Sequence, residues 1–317
     1  MPRIITVTPN TAIDHVIRVE QLQPGSVLMA ESSRQYPAGK GVNVARTVAS
    51  LGMAVTVTGL VGSASAWLFD TLQSDVMQTA FLTVPGDTRT NISISEAAGA
   101  SVTHIRTPGY QVSEDDMENL ADSLRKIVGA GDIVVLAGSL PDGADVSTYA
   151  ILADLCGQAG ANVILDASGP ALAAGLAGRP YMIKPNLTEL ADLAGRGFRG
   201  QDEQNLLSVL EDLVARVPLV VVSRGAGGIW VKQQGHPGIR KAAVAPPGSQ
   251  NIVNDVGCGD ALVGGFAVGL ARKEPLEEMI RLGVACGTAN LFSEVPGLCD
   301  PETVHQVVPK VQISNPS

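Results

Sequence analysis

The sequence has no excess of positive charge. Lys and Arg number 22 against 31 Asp and Glu, and the net charge of −9 argues against a nucleic-acid surface, because a phosphate backbone needs a basic face. A small anionic substrate stays open if basic residues gather locally. Cysteine is scarce too. Cys156, Cys258, Cys286 and Cys299 form no C-x-x-C pair and no metal-ligand spacing with the four histidines, so reduced thiols in a cytoplasmic protein are expected. No apolar run approaches membrane-spanning length, and Met1-Pro2-Arg3 leads into Ile4-Ile5-Thr6-Val7-Thr8 without a signal-peptide core. A soluble chain with neither membrane nor nucleic-acid partner is the expectation. Aromatic residues amount to 3% while glycine and alanine are plentiful, which suits close packing of helices on a sheet. With 17% charged and 45% apolar residues the chain is neither disordered nor a coiled coil. Its 317 residues suffice for one large α/β domain or two ordinary ones.

From residue 113 onward, buried-strand patterns alternate with helical ones: strands at 132–137, 163–166, 181–184 and 219–223, helices from 113 to about 129, over 147–159 and over 203–215, then a hairpin from 228–231 and 239–244. This predicts a mostly parallel sheet covered on both faces, with ligands at the carboxyl ends of the strands. Asn10, Ser139, Asp166, Lys184 and Ser223 all fall at such ends. A further strand at 55–62 and a helix near 67–74 belong to the same body. Residues 80–106 read as three successive strands with turns at 85–87 and 98–100, and with 16–33 they are expected to form a small sheet acting as a lid or a subunit contact.

Four stretches carry chemistry. Asn254-Asp255-Val256-Gly257-Cys258-Gly259-Asp260, followed by Ala261 to Phe266, is a tight loop emptying into a helix, where the Gly257, Cys258 and Gly259 amides and the positive helix end make an anion seat. Asp260 on its edge either accepts a proton from a substrate hydroxyl or simply caps the helix. Ala38-Gly39-Lys40-Gly41-Val42-Asn43 places a lysine between glycines at a helix start, an anion contact or a solvated loop; Gly41 stands where a Walker A sequence needs Ser or Thr. In Lys184-Pro185-Asn186-Leu187-Thr188-Glu189, Asn186 and Glu189 can meet hydrated Mg²⁺ from one side, or Glu189 can serve as a capping acid. Ser223-Arg224-Gly225-Ala226-Gly227-Gly228 is a nucleotide cradle or an ordinary turn. Arg89, opening a strand, is a phosphate ligand or a surface arginine, and Asn290 closes a small-residue run that packs or lies beside a planar ligand.

These stretches, with Asn10 to Asp14, Thr88-Arg89-Thr90-Asn91 and Gly138-Ser139-Leu140-Pro141, occur in the order of the ribokinase-like PfkB sugar kinases, and the chain resembles that family over its whole length. The Gly-Ser-Leu-Pro and Thr-Arg-x-Asn pieces resemble the phosphosugar branch, which holds 1-phosphofructokinases, minor 6-phosphofructokinases and tagatose-6-phosphate kinases. The resemblance implies one three-layer α/β domain over 1–317 with a β lid from about 14–36 and 86–107. It implies transfer from ATP, with Mg²⁺, to a hexose phosphate, with fructose 1-phosphate favoured. Fructose 6-phosphate, tagatose 6-phosphate or an unphosphorylated sugar or nucleoside are alternatives, and a non-catalytic sugar- or nucleotide-binding regulator is the rival of another class. Residue by residue, it makes Asp260 the base and Gly257 to Gly259 the anion hole. Asp14, Gly39 and Asn43 hold sugar hydroxyls, and Lys40, Arg89 and Ser139 hold the sugar's phosphate. Lys184, Asn186 and Glu189 serve nucleotide phosphates and Mg²⁺, and Ser223, Arg224, Gly225, Gly227 and Gly228 the rest of the nucleotide. A homodimer through the lid is expected. The chain departs from the family at Cys258, where alanine is usual and a thiol-sensitive site results, and at Asp255, Arg224 and Met29, where threonine, leucine and arginine are common.

Overall fold

Ile4–Thr8 (β1) is buried along its whole length and carries the architecture. The computed structural model describes residues 2–96, 102–195, 203–246, 252–253 and 255–314, with the backbone alone at 203 and 204. Asn254 and the turn at 98–100 lie outside the described residues. After β1 the strands are β2 Ala12–Val19, β3 Ser32–Ala38, β4 Val55–Gly62, β5 Met77–Val84, β6 Arg89–Glu96, β7 Val102–Arg106, β8 Ile133–Ala137, β9 Asn162–Asp166, β10 Met182–Ile183, β11 Leu219–Ser223, β12 Ile229–Gln233, β13 Arg240–Ala243 and β14 Gln312–Ser314. The helices are α1 Lys40–Ser50, α2 Ala66–Asp70, α3 Glu114–Ile127, α4 Thr148–Gln158, α5 Gly169–Gly175, α6 Leu187–Ala194, α7 Glu203–Val214, α8 Cys258–Ala271, α9 Leu276–Ala289 and α10 Pro301–Val307.

The main sheet runs β14-β13-β12-β11-β10-β9-β8-β1-β4-β5. It is parallel from β5 to β11 and antiparallel beyond. From β1 the chain first builds outward through β4 and β5, then returns to β8 on the other side, so a crevice opens at the carboxyl ends of β1 and its neighbours. One face is covered by α1, α8 and α9, with Val42, Val48, Leu262 and Phe266 in its core. The other is covered by α3, α4 and α7, with Leu120, Leu124, Tyr149 and Leu210. Each of these large side chains removed from water contributes about 1.5–3 kcal/mol. Scarcity of aromatics has its counterpart in the packing of α8 on α9: a Cβ on Gly265 would lie 2.7 Å from the Cα of Gly283, a separation only glycine tolerates.

Local signals set the helix starts. Ser113 caps α3 in a capping box with Asp116, Glu114 and Asp115 complete an acidic first turn, and Arg125 and Lys126 close the last.

The segments expected to form a lid make a separate four-stranded sheet, β3-β2-β6-β7. Three sequence expectations change here. Residues 80–84 belong to β5, which joins the main sheet parallel to β4 rather than the lid. The apolar stretch 27–31 forms no strand and leaves Val27 and Met29 exposed, while the polar Ser32–Ala38 pairs with β2. The helix near 67–74 is shorter, with a 3-10 turn Ser63–Ser65 before α2.

Candidate active site

Gly257 is the N-cap of α8 with φ +87°, and no side chain caps the helix. The first helical bond runs from Ala261 N to Gly257 O at 2.8 Å, so the amides before Ala261 face the crevice without a helical acceptor. A Cβ at Gly257 would stand 2.8 Å from Pro296 Cβ. The left-handed backbone and that close approach both demand glycine. Asp260 is buried, and its Oδ2 accepts from Asn43 Nδ2 at 2.8 Å. It therefore does not cap α8, which removes the structural alternative left open above.

The floor of the crevice is an ionic hub. Asp166, fully buried at the end of β9, accepts on Oδ1 from Lys40 Nζ at 3.1 Å and lies 3.3 Å from Lys184 Nζ. Its Oδ2 has no partner. Leaving an oxygen unpaired in the interior is costly unless charge nearby compensates, and two ammonium groups supply that charge. The Lys184 ammonium lies 3.4 Å from where a Cβ on Gly259 would stand, so the hub abuts the anion loop. Burial opposes charge on Asp166, but Lys184 and Lys40 overrule it and hold the carboxyl below its ordinary range. Burial likewise opposes charge on Lys40, and Asp166, Asp260 and Glu189 overrule it and hold the ammonium above the ordinary lysine value. Asp260 is pushed up to about 6 by burial, with Asp166 adding to the push and Lys40, Asn43 and Lys184 opposing it.

On the lid side, Asp14 Oδ1 accepts from Asn91 Nδ2 at 2.8 Å across the β2–β6 pair. Burial raises Asp14, against the Asn91 bond and the charges of Arg46, Arg89 and Arg106. Arg89 spans the turn after β1, donating from Nε to Thr11 O at 3.2 Å and from NH2 to Asn10 O at 3.1 Å, and burial pulls it below the ordinary arginine value. Ser139 Oγ, exposed, accepts from Asn10 Nδ2 at 3.1 Å. Gly39 is the N-cap of α1 with φ +128°.

Among the segments expected to take the nucleotide, an isolated bridge between Asn186 and Ser223 joins the segment after β10 to the glycine turn after β11. Asn186 and Glu189 form a reciprocal capping box on α6: Asn186 Oδ1 accepts from Glu189 N at 2.9 Å and Glu189 Oε2 from Asn186 N at 2.8 Å. Gly225 and Gly228 have φ +55° and +76°, and Gly227 lies between them. The Arg224 guanidinium lies 4.0 Å over the Trp230 ring, so its head is stacked rather than extended to solvent. Asn290 is fully buried, donating to Val256 O at 2.8 Å and accepting from Gly297 N at 2.7 Å. Its amide braces the anion loop instead of lying open to a planar ligand. Cys258 accepts from Asn290 Nδ2 at 3.4 Å, and burial pushes its thiol up, with Asp255 and Asp260 adding to the push. A disfavoured thiolate lowers the reactivity expected of this thiol.

Three groups were missed by sequence reasoning about the site. Asp166 was visible only as a strand-end residue, Asn10 as a strand-end residue and the start of the Asn10 to Asp14 piece, and Asn91 only as part of the Thr-Arg-x-Asn piece.

A pfkB family carbohydrate kinase model matches residues 5–303. A 1-phosphofructokinase of Bacillus subtilis is 33% identical over 98% of this chain and 99% of its own length. One of Rhodobacter capsulatus is 37% identical over 95% of this chain and 94% of its own. The crystal structure of Escherichia coli phosphofructokinase-2 in complex with potassium superposes with a TM-score of 0.89 at 29% identity, covering 98% of this chain and 99% of that one.

Proposed function

Because the chain belongs to the pfkB family of carbohydrate kinases, we propose that it transfers the γ-phosphoryl group of ATP to a hydroxyl of a hexose phosphate, converting fructose 1-phosphate to fructose 1,6-bisphosphate. The observation that carries this reading is a buried carboxylate, Asp260, in the first turn of a helix whose open amides adjoin the Lys184 ammonium. Asp260 takes the proton of the sugar hydroxyl as its oxygen bonds to phosphorus and the bond to the departing ADP oxygen breaks. The Gly257 to Gly259 amides and Lys184 neutralise charge on the group in flight. Asp14, Gly39 and Asn43 orient the sugar, and Lys40, Arg89 and Ser139 take its phosphate. Asn186, Ser223 and the Gly225 to Gly228 turn take the nucleotide, with the Arg224–Trp230 stack forming the base of that turn.

The residues present fit a hydrated magnesium ion. No group of three or more His, Cys, Asp or Glu that could hold a metal occurs among the described residues, and Glu189 uses only Oε2 in its capping bond. Such an acid suits water-mediated contact with an ion carried chiefly by phosphates. When bound, the ion supplies further neutralisation of phosphate charge. Among the described residues no helix is long and apolar enough to cross a membrane.

ADP release measured across fructose 1-phosphate, fructose 6-phosphate, tagatose 6-phosphate and free sugars tests the assignment. Fructose 1-phosphate should give the highest kcat/KM; a preference for fructose 6-phosphate would move the chain to another branch, and silence on every sugar would favour the regulator. The register of the lid puts Ile17, Ile94 and Ile105 on one face, with Ile105 48% exposed, which supports a homodimer formed there. Sedimentation of Ile105→Asp should show a monomer where the native chain is dimeric; an unchanged dimer would place the contact elsewhere.

A further inference from the structure

Arg46 is buried on α1, and none of the roles above uses it. A guanidinium in the interior is costly, yet the bonds the structure gives it run to neutral acceptors. NH1 donates to Asn43 Oδ1 at 3.0 Å and to Pro296 O at 3.3 Å, and NH2 donates to Pro37 O at the end of β3. Burial pulls its pKa down to about 10, with Asp14 and Tyr36 opposing, so it stays charged at neutral pH.

The consequence lies in Asn43. A side-chain amide has one accepting end and one donating end, and here one bond at each end sets which way it points: Oδ1 to Arg46, Nδ2 to Asp260 Oδ2 at 2.8 Å, with the second N–H left for the sugar. Turning the amide over would set two donors against each other at Arg46 and two acceptors against each other at Asp260. Close packing also fixes the backbone that carries this side chain. A Cβ on Gly297 would lie 2.2 Å from Asn43 O, and Thr47 Oγ1, one turn on, donates to Gly297 O at 2.7 Å.

We propose that Arg46 is a positioning residue for phosphoryl transfer: by holding Asn43 Oδ1 and the Pro37 and Pro296 carbonyls it aims the Asn43 NH2 group at Asp260, coupling the end of the lid strand to the catalytic carboxylate. This rests on Asp260 being the base. An N–H donated to a carboxylate favours its charged form, so loss of Arg46 frees the amide and makes Asp260 harder to ionise. The other groups that face Asp260 stay in place in an Arg46 variant: Lys40 from α1, Asp166 from β9, Lys184 after β10, and Cys258 from the start of α8, which in turn faces Asp255. Asp14 from β2 and Tyr36 from β3 face Arg46 itself.

The test is the acidic limb of the pH profile of kcat/KM for the sugar phosphate, recorded for Arg46→Gln, Asn43→Ala and the double variant after thermal unfolding shows each is folded. Arg46→Gln should move the limb up by about half a unit to one unit and lower kcat about tenfold, with the KM for ATP changing less than about twofold. Asn43→Ala should move the limb in the same direction, and the double variant no further than Asn43→Ala alone. A limb unmoved by Arg46→Gln overturns the proposal. So does a shift that persists on the Asn43→Ala background, which would make Arg46 a distant charge acting directly. Should the glutamine variant not fold, Arg46→Lys carries the same comparison, with a smaller upward shift that must vanish on that background. Asp260→Asn separates the two levels: normal turnover there removes the base itself, whereas lost turnover with an unmoved limb in the Arg46 variants removes only this inference.

Discussion

The two halves of the pocket are built by different means. The half assigned to the sugar and the transferring phosphoryl group is made of side chains that meet from far apart in the chain, 126 residues for Lys40 and Asp166 and 217 for Asn43 and Asp260. The half assigned to the nucleotide is made mainly of turns and caps closed within a few residues, such as the Asn186–Glu189 box and the Arg224–Gly228 turn, joined by the Asn186–Ser223 bridge. Charges buried in a low-dielectric hub interact strongly and depend on one another, whereas caps are exposed, local and worth about 1 kcal/mol each. Substitutions in the first half should therefore be severe and coupled, and those in the second mild and separable.

The largest effect is expected at Asp166. Asp166→Asn leaves two ammonium groups without their anion and should cost about 3–5 kcal/mol of stability, read by denaturant unfolding, together with most of the activity. It also removes a like charge from the neighbourhood of Asp260, so in residual activity the acidic limb should lie below about 6, the value that burial and Asp166 together set. A folded, fully active variant would dissolve the hub. Lys40→Ala, at a residue one-third exposed, should spare the fold and raise the KM for the sugar phosphate about 10- to 100-fold, with little change for ATP. Equal changes in both KM values would put Lys40 on the nucleotide half. The smallest effect belongs to Glu189→Gln, which keeps a capping acceptor and removes a charge. Its melting temperature should stay within about 1 °C while the Mg²⁺ needed for half-maximal activity rises severalfold. An unaltered Mg²⁺ requirement would leave Glu189 as a cap alone.

What could be read from sequence follows the same division. Ser113 with Asp116, and Asn186 with Glu189, are spaced three apart and form their boxes whatever the rest of the chain does. The succession of buried strands and helices likewise reported a parallel sheet, because its pattern is local. Residues 80–84 went to the wrong sheet because a half-buried edge strand has the same pattern in either place, and pairing with β4 decides. Apolar Val27 and Met29 suggested a strand, but the hydrogen-bond register with β2 recruits polar Ser32 to Gln35 instead. The hub at Asp166 had no local mark beyond lying at a strand end. Lys40 and Asp260 stood out by loop chemistry and Arg89 by its place at the start of a strand, and the order of the family pieces assigns the three to one site. Asn290 showed the reverse: a polar residue in a small-residue helix looked available to a ligand, and folding committed both ends of its amide to backbone.

The most direct measurement is single-turnover phosphoryl transfer by Asp260→Asn, with ATP binding followed in parallel by calorimetry. If Asp260 is the base, the variant binds ATP within about threefold of the native affinity while transfer falls by about a thousandfold or more. The melting temperature should rise by a few degrees, because a carboxyl raised by burial is least favourable in its charged form above about 6. Transfer at the native rate would contradict the account, since no other described carboxylate stands in the first turn of that helix.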